Sequence, residues 1–324
     1  MSAAFGLSFE GKETPAQVRE LVAVAEANGV ETLWFASHLF QREPIAMASM
    51  ALQSSRHVRI ALMAMSPYSV HPVYSAMAAA TLDELYPGRV TLCFGVGAPR
   101  DLQAAGIEAP QPLQTLRESL AIAAELLSGE VIQFDGKKYQ VHDRRLAMGG
   151  RKVPLVLAAS GPQMLELAGR IADGVLISAA TSVEFVNWCL DLVAKGEAEA
   201  GRRIRRIGLL YAALGGSESQ AHDKLRRTLA FILRGAHHAR NLELAGSVLD
   251  QEALAAAFLT ENWVEVERLV TDDVVRRHAA SGTIAQVQAR FSAYNQVGLD
   301  ELVLAGQGDA AVLADVLRVT RPAG

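Results

Sequence analysis

The chain has 324 residues, half of them hydrophobic and a fifth charged, a balance that supports a large buried core and excludes a disordered chain. Its 31 Lys and Arg against 35 Asp and Glu leave a formal charge of −4, which gives no support to a nucleic-acid partner. Two cysteines, Cys93 and Cys189, cannot build a disulfide scaffold or a Cys-rich zinc site, and no run approaches the ~18 apolar residues of a membrane span.

Taken in chain order, short apolar runs recur at 5–9, 32–36, 58–64, 90–95, 153–158, 174–178, 207–213 and 301–305, and each reads as a strand. The stretches between them carry helix signals. Thr14-Pro15 reads as an N-cap followed by proline at the first helical position, and Asn28-Gly29 stops that helix. Later helices end at Tyr86-Pro87-Gly88 and at Ser128-Gly129. Eight strand–helix units predict an α/β fold, one (β/α)8 TIM barrel over residues 1–324. Two long intervals, about 98–152 and 214–299, read as insertions on the catalytic rim after the fourth and seventh strands. The first contains Asp135-Gly136 between alternating segments, a hairpin signal. The basic run Arg202-Arg203-Ile204-Arg205-Arg206 reads as a solvated helix end, with attraction of an anionic cofactor tail as the lesser alternative. The start, Met1-Ser2-Ala3-Ala4, lacks the pattern of a secretory leader, so the expected location is cytoplasmic.

Barrel chemistry sits at the carboxyl ends of strands. Those positions here are Ser8, Ser37-His38, Ala64-Met65-Ser66-Pro67-Tyr68, Gly95-Val96-Gly97, Ala159-Ser160-Gly161, Ser178, Tyr211 and Gly306-Gln307. The set is short of carboxylates and of metal ligands, so no metal is expected and hydrolysis is disfavoured. Small residues and bare backbone suit a planar cofactor that carries the chemistry itself. Ser160-Gly161-Pro162 passes from strand to helix, where free backbone N–H groups attract an anion, although a plain capped turn has the same pattern. Gly95-Val96-Gly97-Ala98-Pro99-Arg100 lacks the third glycine of a dinucleotide fingerprint and reads as a rim loop approached by backbone or by a ring. His38, directly after the second strand, is the candidate general acid or base, against the common alternative of a structural histidine. His237-His238 reads as a solvated helix face, and Cys93 and Cys189 as buried packing residues.

The sequence also resembles the bacterial luciferase-like superfamily of flavin- and deazaflavin-dependent oxidoreductases, above all its F-420-dependent methylenetetrahydromethanopterin reductases. The likeness runs through Pro67-Tyr68-Ser69-Val70-His71-Pro72, Ala80-Thr81-Leu82-Asp83-Glu84, Gly95-Val96-Gly97, Leu113-Gln114-Thr115-Leu116-Arg117-Glu118, Ser160-Gly161-Pro162-Gln163-Met164-Leu165, Ala172-Asp173-Gly174 and Gly298-Leu299-Asp300-Glu301. The resemblance implies a ring seated over Met63, Ala64, Met65 and Ser66 near Gly95 and Gly97, with phosphate at Ala159, Ser160 and Gly161 and Ser178 alongside. It implies coenzyme F-420, with FMN as the alternative, a small-molecule substrate and a homodimer or larger homo-oligomer. It also implies a non-proline cis peptide, which by position falls on Met63-Ala64. Ser8, Ser37 and Ala98 stand where the reductases carry acidic residues, while His38 is retained. The expected function is hydride transfer between F-420 and a small organic substrate. The alternatives are an FMN-dependent monooxygenase and, in another class, a non-catalytic cofactor-binding protein.

Overall fold

The computed structural model describes residues 3–320; Met1 and Ser2, the first residues of the segment read for a leader, lie outside them. Strands β1 (Ala4–Phe9), β2 (Thr32–Ala36), β3 (Arg59–Met65) and β4 (Val90–Phe94) alternate with helices α1 (Pro15–Ala27), α2 (Pro44–Ser54) and α3 (Pro72–Leu85). Helices α4 (Pro99–Ala104) and α5 (Pro112–Ser128) follow, then a hairpin of β5 (Ile132–Asp135) and β6 (Gln140–Arg144). Next come β7 (Leu155–Ala159), α6 (Pro162–Ile171), β8 (Gly174–Ile177), α7 (Val183–Ala200) and β9 (Arg205–Leu214). A helical group, α8 (Glu218–Leu233), α9 (Ala239–Ala245), α10 (Gln251–Leu259), α11 (Trp263–Leu269) and α12 (Asp272–His278), leads to β10 (Ala280–Gly282), α13 (Ile284–Gln296), β11 (Glu301–Ala305) and α14 (Ala310–Thr320).

The parallel order β9-β11-β1-β2-β3-β4-β7-β8 closes on itself through pairing of β8 with β9, giving a (β/α)8 TIM barrel. Local signals account for many of its boundaries. Thr14 and Gln17 form a capping box at α1, with Pro15 opening the helix, and Gly129 ends α5 in the left-handed conformation that glycine tolerates. All eight predicted strands occur, with ends shifted by a few residues. The short β10, missed in the sequence, extends the rim by pairing with the end of β9.

Alternation along the strands sorts the core into two layers. Trp34, Ala36, Ala61, Met63, Cys93, Val156, Leu176, Ile207 and Val303 fill the barrel, whereas residues such as Leu33, Phe35, Leu62 and Leu157 pack against the surrounding helices. At the floor, the buried Glu301 accepts the Trp34 indole N–H at 2.8 Å and pairs with Arg205 at 2.9 Å. Gly6 leaves room there: a Cβ would lie 2.5 Å from the Glu301 carboxylate.

That floor corrects the reading of the basic run. Arg203 pairs with Asp300, Arg205 with Glu301 and Arg206 with Glu197, while Arg202 donates to the Ala172 carbonyl. These arginines hold the amino-terminal end of β9, so the run is neither a free helix end nor positioned to attract a cofactor at the opposite mouth. The hairpin signal is realised, and Glu118 fastens the turn by accepting the N–H groups of Lys137, Lys138 and Tyr139. Beyond β9, helices α8 to α12 share a separate apolar cluster with Ala180, Tyr211, Ala213 and Ala305. Helix α13 instead packs on β9 and α14, so the barrel's outer ring resumes within the interval read as insertion. Among the described residues no helix is long and apolar enough to cross a membrane.

Candidate functional site

The inward face of each strand continues above its end, and this places the side chains of the mouth. On β2 the inward series Trp34, Ala36 carries on to His38; on β1 the series Gly6, Ser8 carries on to Glu10. Glu10 Oε2 lies 3.5 Å from His38 Nε2, and Ser8 donates its hydroxyl to Glu10 Oε1 at 3.1 Å. From α4, Asp101 approaches the other face, 3.8 Å from His38 Nδ1. The mouth is therefore not short of carboxylates, contrary to the sequence reading. The acids stand two residues beyond Ser8 and three beyond Ala98, outside the positions inspected. Glu10 was within reach of the sequence, since it directly follows the first strand; Asp101 comes into range only through the turn of α4.

The hydrogen-bonding Glu10 carboxylate holds the His38 imidazole above its ordinary value; burial opposes this, and the charges of Glu10 and Asp101 reinforce it. Burial pushes Glu10 up, but the His38 contact, the His38 charge, the Ser8 hydroxyl and Lys12 together bring it below its ordinary value. A raised imidazole contributes stability that is complete below its ordinary value and lost as pH rises through its raised one. A lowered carboxylate contributes above its ordinary value and is lost on acidification through its lowered one. Both contributions are complete between about pH 4.5 and 6.5. Replacing Glu10 with Gln is expected to lower the imidazole's titration point, because the negative charge disappears and only a neutral, weaker acceptor remains. An NMR titration of His38 in the two proteins checks this; an unchanged or higher midpoint would rule out Glu10 as its partner.

Beside this group lies a floor of very small residues. Met63 faces the barrel, and a register shift between Leu62 and Met65 turns the next residue, Ala64, to the same side. A Cβ on Gly95 would meet the Ala64 Cβ at 2.7 Å and the Ala158 Cβ at 3.2 Å, so only glycine fits against these two alanines. The bulge expected at Met63-Ala64 is present, but the cis peptide is not: every described peptide bond is trans, and the slip in pairing alone accommodates the extra residue. Ser66 donates to the Val96 carbonyl at 2.6 Å and lies against Gly97, tying the third and fourth loops together.

The other expected cofactor residues divide by the same alternation. Met65 and Ala159 pack in the layer between strands and helices, so their side chains turn away from the mouth. Gly161 is the N-cap of α6, no side chain caps that end, and nothing lies within 4 Å of where its Cβ would be. Ser160 precedes it, half-buried, and Ser178 lies half-buried just beyond β8.

Remaining histidines and hydroxyls have local roles. His71 caps α3, its Nδ1 accepting the Val73 N–H at 3.2 Å, and packs edge-on to Tyr139. His237 is exposed, but His238 is buried under the helical group; burial and the charges of His237 and His278 push it down to about 3. That corrects its reading as a solvated residue. Cys93 and Cys189 are free and buried, and burial pushes both thiols up. Tyr68 donates to the Pro110 carbonyl at 2.8 Å, whereas Tyr211 is buried in the mouth, with burial and the charges of Glu10 and Glu13 keeping its hydroxyl protonated. Among the described residues no group of three His, Cys, Asp or Glu is placed to hold a metal.

Comparison with known proteins gives concordant likenesses. The family model for luciferase-like monooxygenases matches residues 2–301. The 5,10-methylenetetrahydromethanopterin reductase of Archaeoglobus fulgidus is 27% identical over 308 residues, covering 92% of each chain. The coenzyme F-420 dependent tetrahydromethanopterin reductase of Methanopyrus kandleri superposes with a TM-score of 0.88 at 22% identity, covering 98% of this chain and 97% of that one. The oxygenating constituent of 3,6-diketocamphane monooxygenase of Pseudomonas putida, solved with FMN, gives a TM-score of 0.73 at 16% identity, covering 98% and 97%.

Proposed function

The chain belongs to the luciferase-like monooxygenase family, and we propose that it is an oxidoreductase acting between F-420 and a small organic substrate. The observation that carries this reading is the seat of Ala64, Gly95 and Ala158 beside the His38–Glu10 pair. Such a seat admits the flat face of a ring and offers no side chain that would displace it. The uncapped start of α6 at Ser160 and Gly161 supports a role in holding an anionic group of the cofactor. A bound deazaflavin supplies hydride transfer. The protein's part is to position that ring, to exclude water from its buried side, and to exchange one proton at His38. Glu10, by hydrogen bond and charge, and Asp101, by charge, favour the protonated form of His38, which serves as donor in the reducing direction and, once deprotonated, as acceptor in the oxidising one.

FMN is the alternative cofactor, since the seat contains no group that selects one ring over the other; fast oxygen uptake with reduced FMN is the result that would favour the monooxygenase reading. A purely cofactor-binding protein has less support, because two carboxylates flank His38 and equip it for proton exchange.

The seat is tested by Ala158→Leu. Ala158 is only half-buried, so leucine projects into the space above Ala64 and Gly95 without entering the close-packed barrel layers. Binding of F-420 and of FMN is expected to weaken at least tenfold, an effect of about 1.4 kcal/mol or more, with folding retained. Undiminished affinity in a folded variant would move the ring elsewhere.

A further inference from the structure

Arg234, the residue that closes α8, is buried, at 9% exposure. Its guanidinium lies against two touching rings, 4.1 Å from the Phe231 centroid and 4.2 Å from that of Phe258, the two centroids being 5.8 Å apart. One edge donates to the Phe231 carbonyl, and it pairs with no carboxylate among the described residues. Burial and the neighbouring charge of Arg100 push it down to about 10, the mark of a cation that lacks a counter-ion. The exposed Lys12 approaches the same Phe231 ring at 6.0 Å, and its charge reaches both Glu10 and His38. Arg100, also exposed, directly precedes Asp101, the residue beside His38 Nδ1. Lys12 and Arg100 thus adjoin, in the chain, the two carboxylates that flank His38, and Arg234 meets Lys12 across the Phe231 ring. The two rings shield the Arg234 guanidinium from water on their side and leave its remaining edge donors for a ligand, an arrangement suited to an oxyanion.

We infer that Lys12, Arg100 and Arg234 form an anion-binding site at the mouth, one that takes a phosphate or carboxylate group of the substrate. The inference rests on His38 marking the reaction centre. The shared chemistry, an oxyanion, also belongs to the cofactor's tail, and the experiment separates the two. Inorganic phosphate is titrated calorimetrically into the F-420-loaded protein, into Arg234→Met and into Arg100→Gln. In parallel, each protein's affinity for F-420 is compared with that for its tail-less deazaflavin core. The expected result is saturable phosphate binding, weakened about tenfold or more in both variants, with the preference for F-420 over its core unchanged. Phosphate affinity that is the same in all three proteins overturns the site. Loss of the preference for F-420 overturns the substrate assignment, because the arginines then hold the cofactor's tail. Arg100 is exposed, so its variant answers even where Arg234→Met does not fold. Failure of F-420 to bind at all counts against the proposed function alone; arginine-dependent phosphate binding to the unloaded protein still supports the anion site.

Discussion

Replacing His38 with alanine is expected to lower turnover by roughly 10²–10⁴, the usual effect of losing a general acid or base, while cofactor affinity stays unchanged. The two effects separate because the imidazole and the ring seat come from different strands. His38 is held by Glu10 and Asp101 on one side of the mouth, whereas the seat is built by Ala64, Gly95 and Ala158. Removing the ring of His38 leaves Glu10 with its Ser8 hydrogen bond and with Lys12 nearby, so the first loop keeps its anchor. Turnover, cofactor titration and thermal unfolding of the one variant decide the role. Selective loss of turnover supports proton exchange; joint loss of stability and cofactor identifies a structural histidine. A folded, loaded variant with full turnover removes His38 from the chemistry and turns attention to Tyr211, the protonated hydroxyl in the same mouth.

The largest stability effect is expected at the other end of the barrel. Trp34 is 1% exposed and fills the barrel beside Glu301, whose carboxylate stays above its ordinary value because burial outweighs the hydrogen bonds and charge of Trp34 and Arg205. Trp34→Ala removes a large buried ring and one of the two groups that satisfy that carboxylate. The cost is about 3–5 kcal/mol, read from denaturant midpoints at constant slope. Trp34→Phe keeps most of the volume but leaves a Glu301 oxygen without its donor, and should cost about 1–3 kcal/mol. Equal losses in the two variants would show that volume is irrelevant there. A loss under 1 kcal/mol in Trp34→Ala would contradict the packed floor. Neither change should alter the chemistry of molecules that remain folded, because the floor and the mouth lie at opposite strand ends.

The parts of this fold that were legible in the sequence are those fixed by neighbours in the chain. Thr14-Pro15, Asp135-Gly136 and Ser128-Gly129 act through local hydrogen bonds and backbone preferences, and the structure realises all three. The strand pattern is equally local, and eight parallel strands with intervening helices leave few ways to close. What failed depended on contacts across the fold. Arg203 and Arg205 find Asp300 and Glu301 about a hundred residues later, and no local pattern announces that pairing. The bulge in β3 resets the alternation, so Ala64 joins Met63 inside while Met65 turns out. Counting positions from strand ends placed Met65 and Ala159 in the site without regard to which face they occupy. The same counting stopped short of Glu10 and Asp101, although a loop or one helical turn brings both to His38.

The most direct measurement is a fluorescence titration of the purified protein with F-420 and with FMN, each oxidised and reduced. The account predicts saturable binding of at least one of these rings, one per chain, weakened at least tenfold by Ala158→Leu. A folded protein that binds neither ring in either redox state would contradict it.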